Sequence, residues 1–259
     1  MTASARLTTL TRIGFATRGV LYSVIAYLVI RTGRAEDPGG ALAYLSEGSG
    51  KILLGVMAAG LLAYGIWRLA DAALNIEGHD PDKKGVMERV GAGLSGLVHV
   101  FLTWQAIQLV QGVSSSGNGV QDSARTALTF PGGGIAILLA GAVVLVVGIV
   151  QLVRAVKASF LDHLEPKMAG RTWVKWSGRA GYAARGIVFL IVGYFLVAAG
   201  FDASSSGVGG MDAALAWLES PVDGIVALGL FGFGIFSLVE ARWRILQSVP
   251  VERLTAGRF

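Results

Sequence analysis

Cysteine is missing altogether, which removes disulfide frameworks and thiolate metal sites and leaves the redox compartment unreadable from cysteine usage. Charge is scarce as well. Only 15% of the 259 residues are Asp, Glu, Lys or Arg and 53% are hydrophobic, whereas soluble domains carry about 25% charged residues. That much apolar surface has no place in water, and a lipid solvent follows. Catalytic signatures are a third absence. No Walker loop, dinucleotide fingerprint, His-Glu-x-x-His helix or pair of intramembrane aspartates occurs, so the chain reads as no enzyme, with neither metal nor cofactor to place.

What the chain has is glycine, 37 residues of it. Between helices in lipid there is little hydrophobic drive, and small residues supply packing by letting backbones approach. Apolar stretches of the roughly 20 residues needed to cross a hydrocarbon core run at about 13–31, 51–73, 90–111, 132–155, 180–201 and 222–246. An even number of spans puts both termini on one side. Counting span ends with their adjoining segments, 18 of the 22 Lys and Arg lie on that side, and only Arg31, Arg34, Lys51 and Arg125 lie opposite. The 17 acids divide 9 to 8, so the asymmetry is in the cations, as the positive-inside rule requires. The termini are therefore expected in the cytoplasm and the protein in a bacterial plasma membrane. Trp67, Trp173, Trp176 and Trp243 near the same span ends suit the headgroup layer. The net charge of +5 is explained by this bias and implies no nucleic-acid partner. Arg31, Thr32, Gly33 and Arg34 follow the first apolar run without a small-x-small cleavage pattern, so it reads as a retained helix rather than a signal peptide.

Self-similarity is the most specific signal. Three hairpins open on R-I-G-F-A-T-R-G from Arg12, R-V-G-A-G-L-S-G from Arg89 and R-A-G-Y-A-A-R-G from Arg179. They close on Y-G-I-W-R-L-A-D-A from Tyr64, V-G-I-V-Q-L-V-R-A from Val147 and F-G-I-F-S-L-V-E-A from Phe233. An Ala-Leu pair recurs in each opposite-side loop, at Ala41-Leu42, Ala127-Leu128 and Ala214-Leu215, which suggests a short amphipathic helix or half-buried turn. The expected fold is a single all-α membrane domain over 1–259, its repeats at 12–75, 89–160 and 179–246 arranged in parallel around a pseudo-threefold axis. These motifs and the total length resemble the bacterial integral membrane family catalogued as domain of unknown function 1206, over nearly the whole chain. The resemblance implies the architecture and carries no activity, cofactor or catalytic residue. The middle copy departs from the pattern, with Ser95 where the others have Arg and Arg154 where they have an acid.

Charges at the membrane boundary are the first candidate site. Gly19 to Ile30 is only 12 residues, about 18 Å of helix, so Arg18 is drawn inside the boundary. Arg185 is its equivalent in the fifth span. Within a hairpin, the start of one span and the end of the next share a leaflet, which levels Arg18 with Asp71 and Arg185 with Glu240. Structural ion pairs within hairpins are the leading expectation, with Arg154 taking an acid from a neighbouring unit. Alternatively, the arginines snorkel while Asp71 pairs with Arg68 and Glu240 with Arg244 along one helix, or the charges belong to a transport route.

The third span carries His99, in the column of Tyr22 and Phe189, then Thr103, Gln105, Gln108 and Gln111. Polar groups on several sides predict either a central helix with interhelical hydrogen bonds or a hydrated route. Glu77, His79, Asp80 and Asp82 have metal-ligand chemistry without a recognised spacing, and proline and lysines around them favour a solvated turn. The serine triplets at 114–116 and 204–206 read as linkers. The function expected from all this is a non-catalytic scaffold or accessory subunit, with a small channel or carrier along the pseudo-axis as the alternative. Its partners would be the lipid bilayer and other membrane proteins, a homo-oligomer among the open possibilities.

Overall fold

The computed structural model describes residues 3–33, 38–46, 51–112 and 119–245. Arg34, the first serine triplet and the C-terminal tail lie outside these residues. Six helices are long and apolar enough to cross a membrane: α1 (Ala3–Thr32), α3 (Lys51–Leu74), α4 (Lys83–Val110), α6 (Gly133–Lys157), α8 (Thr172–Asp202) and α10 (Val222–Trp243). Short helices α2 (Pro38–Ser46), α5 (Gly119–Leu128) and α9 (Met211–Trp217) precede the second span of each hairpin, and α7 (Pro166–Ala169) sits in the connector to α8. The protein is a polytopic helical membrane protein.

Local chemistry sets the helix ends. Asp82 caps α4, its carboxylate accepting the Gly85 N–H at 2.7 Å, one of the orphan donors of a first turn. At the other end of a span, α3 stops where Asn75 adopts a left-handed conformation with φ 52°, one that asparagine tolerates better than most residues. The Ala-Leu pairs fall on the three short helices. Ala41, Leu42, Ala214 and Leu215 are buried, while Ala127 and Leu128 are only partly so.

The repeat columns acquire their meaning between hairpins rather than within them. The closing helix of each repeat packs on the opening helix of the next: α3 on α4, α6 on α8, and α10 back on α1. The same glycines meet each time. A Cβ on Gly65 would lie 3.2 Å from the Gly96 carbonyl, one on Gly148 3.1 Å from that of Gly186, and one on Gly234 2.9 Å from that of Gly19. Leu69, Leu152 and Leu238, one turn further, then cover Gly96, Gly186 and Gly19. This is close packing at small residues, the main source of helix association in lipid. The opening arginines complete the pattern. Arg89 donates to the Ala72 and Ala73 carbonyls, Arg179 to those of Ala155 and Val156, and Arg12 to that of Arg242. Each cation thus satisfies orphan carbonyls at the negative end of the preceding repeat's last helix. The three interfaces are cyclic equivalents, which is the pseudo-threefold arrangement.

The hairpins themselves are unequal. In the first, Gly14 lies against Tyr64, and in the third Gly181 lies against Phe233. The middle copy has Val147 in that column, and a Cβ on Gly91 would meet nothing within 4 Å. Without an aromatic ring to seat on the glycine, α4 and α6 form no helix interface among the described residues. The six spans make a ring in chain order, open between α4 and α6.

Candidate functional site

The buried charges gather at the end of the ring carrying most of the basic residues. Arg18 lies on α1 and is 8% exposed, and three of its nitrogens are engaged. Nε donates to Ser237 Oγ at 3.1 Å, Nη1 to Tyr64 Oη at 3.0 Å, and Nη2 to Glu240 Oε2. Its guanidinium also faces the rings of Phe15 at 4.8 Å and Phe233 at 4.9 Å, so its flat faces meet π density while its edge donors meet oxygen.

From Glu240 the network continues as alternating charge. Arg244 donates to Glu240 Oε1 at 2.7 Å and to Glu77 Oε1 at 3.0 Å. Arg68 stands 3.8 Å from Glu77 and 3.5 Å from Asp71. His79 places Nε2 on Asp71 at 3.0 Å and Nδ1 on Glu88 at 2.9 Å. Asp71 and Glu240 are 0% and 2% exposed, and a carboxylate that deep is tolerable only where cations and donors surround it. Asp71 also accepts the Glu77 N–H at 2.8 Å, and Asn75 and His79 exchange side-chain and backbone hydrogen bonds that fix the loop. Just outside the membrane-spanning segments, Arg244 is held more firmly protonated than usual: burial opposes its charge, but Glu240 and Glu77 more than compensate.

This differs from pairing within hairpins. Arg18 meets Glu240 of the third repeat, not Asp71 of its own, because α1 packs through Gly19 on α10 and so receives that helix's acid. In the column where Asp71 would meet an arginine the next repeat has Ser95, and Asp71 instead has His79 Nε2 at 3.0 Å and Arg68 Nη1 at 3.5 Å. Arg185 makes no ion pair among the described residues. It lies over the rings of Phe233, Phe189 and Tyr22 at 4.3, 5.1 and 5.3 Å. Arg154, expected to find an acid in a neighbouring unit, is exposed and makes no ion pair among the described residues. The local pairs Arg68–Asp71 and Arg244–Glu240 are both present alongside the cross-repeat pair, but Arg18, buried against Glu240, does not snorkel as that alternative has it.

The polar residues of α4 are dispersed. His99 Nδ1 lies 2.7 Å from the Ser95 carbonyl, with its ring 4.5 Å from that of Tyr64. The Thr103 hydroxyl donates to the His99 carbonyl. Gln105 is buried, Gln108 half-buried, and Gln111, the C-cap of α4, exposed. The helix is not central: it packs on α3 and α2 and borders the opening of the ring.

Of the loop acids, Asp82 is spent on the N-cap and Asp80 is exposed. Asp71 joins Glu77 and His79 instead, with donor atoms within 4.8 Å of one another. These ligand types suit a hard or borderline cation, but Arg68 and Arg244 already occupy the carboxylates and a metal would have to displace them. Asp71→Asn should lower the melting temperature of the purified protein, by roughly 3 kcal/mol of stability, because it removes the fully buried anion beside Arg68 and leaves that cation only Glu77 at 3.8 Å. Unchanged melting in detergent would mean that the Asp71 charge is not needed to hold the cluster.

The site and ring together define a class, the six-span membrane proteins built from three cyclically joined hairpins. Within it the chain belongs to the family described as Domain of Unknown Function (DUF1206), whose model matches residues 13–75, 90–158 and 180–244, one hairpin each. An uncharacterized protein, YxxB, of Bacillus subtilis (strain 168) is 32% identical over 242 residues, 88% of each chain. No solved structure matches the chain.

Proposed function

We propose that the protein is a non-catalytic scaffold or accessory subunit of the bacterial plasma membrane, with both termini in the cytoplasm. The observation that carries this reading is the aromatic plug between the first and third repeats. Phe233 is fully buried and packs edge-on against Tyr22 at 4.9 Å and Tyr182 at 5.5 Å, between the guanidinium groups of Arg18 and Arg185. Phe160 and Phe236 continue the cluster at 4.9 Å. Packed rings and fixed cations leave poor footing for a file of water or cations, which a conducting axis needs. The buried acids are each held by a cation, which disfavours proton-transfer chemistry there. On this reading the partners are the bilayer lipids and other membrane proteins, a second copy included.

The absence of native cysteine makes the test direct. Single cysteines at Val188 and Leu230, both fully buried, should resist a membrane-impermeant maleimide in intact cells, and proteoliposomes should carry no ion or small-solute flux above empty vesicles. A cysteine at Ser205 should label from outside and one at Lys83 only after lysis. Labelling of both interior positions together with flux would replace the scaffold by a channel, and reversed labelling of the two loops would invert the orientation.

A further inference from the structure

The three repeat interfaces are geometrically equivalent, but their charges are not. At α10–α1 the arginine of the opening helix meets an acid of the closing helix, Arg18 with Glu240. At α3–α4 the opening helix offers no arginine to Asp71, which is contacted instead by His79 and by Arg68 of its own helix. At α6–α8 both places hold arginine, Arg185 and Arg154, and neither has an ion pair among the described residues.

The hydrogen bonding is broken at the same place. Where Arg18 Nε donates to Ser237 Oγ, the equivalent atoms belong to Arg185 and Gln151. Arg185 Nε and Gln151 Oε1 are both buried without a hydrogen-bond partner, and Gln151 is 7% exposed. The rings around Arg185 serve the faces of its guanidinium and accept none of its in-plane N–H groups in conventional hydrogen bonds. A guanidinium at this depth without an anion is costly.

We infer that this interface is a binding site for an anionic phospholipid, whose phosphate takes the place of the missing carboxylate between Arg185 and Arg154. The opening between α4 and α6 gives the lipid a lateral way in. Side chains on a helix lean toward its N-terminus, which for α8 is the basic face, so Arg185 reaches toward headgroup level from inside the ring. Arg154 in the last turn of α6 stands at that level from the other side. Acyl chains would lie along the exposed apolar faces of α4 and α6, where Val90, Leu94, Leu97, Val143, Val146 and Ile149 are uncovered. Two arginines on one phosphate form a strong charge-assisted arrangement, and its free oxygens and ester atoms sit beside the unpaired Gln151 amide.

The test uses the full chain purified in a neutral detergent and titrated with phosphatidylglycerol, phosphatidylcholine or inorganic phosphate, followed by thermal melting and native mass spectrometry. Phosphatidylglycerol should raise the melting temperature by several degrees and bind at about one per chain, and phosphatidylcholine should do neither. Arg154→Gln and Arg185→Gln should each weaken phosphatidylglycerol binding by about tenfold or more. Arg154→Glu restores the acid of the other repeats, so it should melt higher than the parent without lipid and respond no further to it. Equal shifts with both lipids, an unchanged lipid response in Arg154→Glu, or a response to inorganic phosphate as large as that to phosphatidylglycerol would each overturn the assignment. None of these outcomes depends on the scaffold reading, which the cysteine and flux measurements decide separately.

Discussion

Alanine at Gly181 should cost the protein at least ~2 kcal/mol of stability, whereas alanine at Gly91, the same column of the repeat, should cost nothing or stabilise it. A Cβ on Gly181 would lie 2.5 Å from Phe233 Cα and 2.7 Å from its backbone nitrogen. Neither atom can step aside by rotating a side chain, so α8 and α10 must separate and take the aromatic plug with them. At Gly91 the added methyl meets open space, and exchanging glycine for alanine inside a helix gains up to about 1 kcal/mol of backbone entropy. Melting of the two purified variants, read by tryptophan fluorescence, measures the contrast. Equal losses at the two sites would mean that the middle hairpin closes as the others do, and the asymmetry of the ring would have to be given up.

Glu240→Gln should be the most damaging single change among the charges, at about 3–5 kcal/mol, because it leaves Arg18 buried beside an uncharged amide and removes one of the two anions on Arg244. A pair of apolar substitutions tells removal of an interaction from disruption of packing. Arg18→Met with Glu240→Leu eliminates both charges at similar volume and should recover most of the loss, since replacing a buried pair by hydrophobic residues is often neutral or better. Arg18→Met alone should resemble Glu240→Gln. If the double variant melts no higher than either single one, the pair is not what holds α1 to α10, and the glycine contact between Gly19 and Gly234 carries the interface.

Much of this architecture is legible in the residues themselves. Twenty-residue apolar runs report spans because lipid forbids unsatisfied backbone, and the recurring Arg, Gly and Ala-Leu columns report three copies. What the columns do not report is which copies touch. Arg18 and Asp71 share a leaflet and a hairpin, and so do Arg185 and Glu240, so level alone favours pairing within each. The choice is made by packing: α1 lies along α10 over a longer interface than along α3, and that carries Glu240 to Arg18 across 222 residues. A signal for this was present in the middle copy. Its loss of both the arginine and the acid leaves pairing within hairpins consistent, but under cyclic pairing it strands Asp71 on one side and Arg185 on the other. His79 standing eight residues after Asp71 was the clue that the first of these had a substitute. The opening of the middle hairpin was written in Val147, which lacks the ring that Tyr64 and Phe233 seat on glycine, but the size of one side chain announces a gap only once its neighbour is known. His99 and the glutamines suggested a central helix because polar residues on several sides normally need protein around them. In the fold, His99 and Thr103 are anchored on their own helix's backbone and Gln111 has reached its end.

The junction between Gly234 and Gly19 joins the last span to the first, so the ring cannot close until synthesis is nearly complete. At about 5–20 residues per second the ribosome takes on the order of ten to forty seconds to pass from Arg18 to Glu240. Throughout that interval α1 sits in the bilayer with a guanidinium that lacks its carboxylate, the Tyr64 hydroxyl reaching it first, and one exposed glycine face, while the second and third hairpins are delivered in turn. The newborn protein is therefore at its most vulnerable at its oldest helix, and whatever shelters Arg18 during translation, an insertase groove or a borrowed headgroup, must yield to Glu240 at the end.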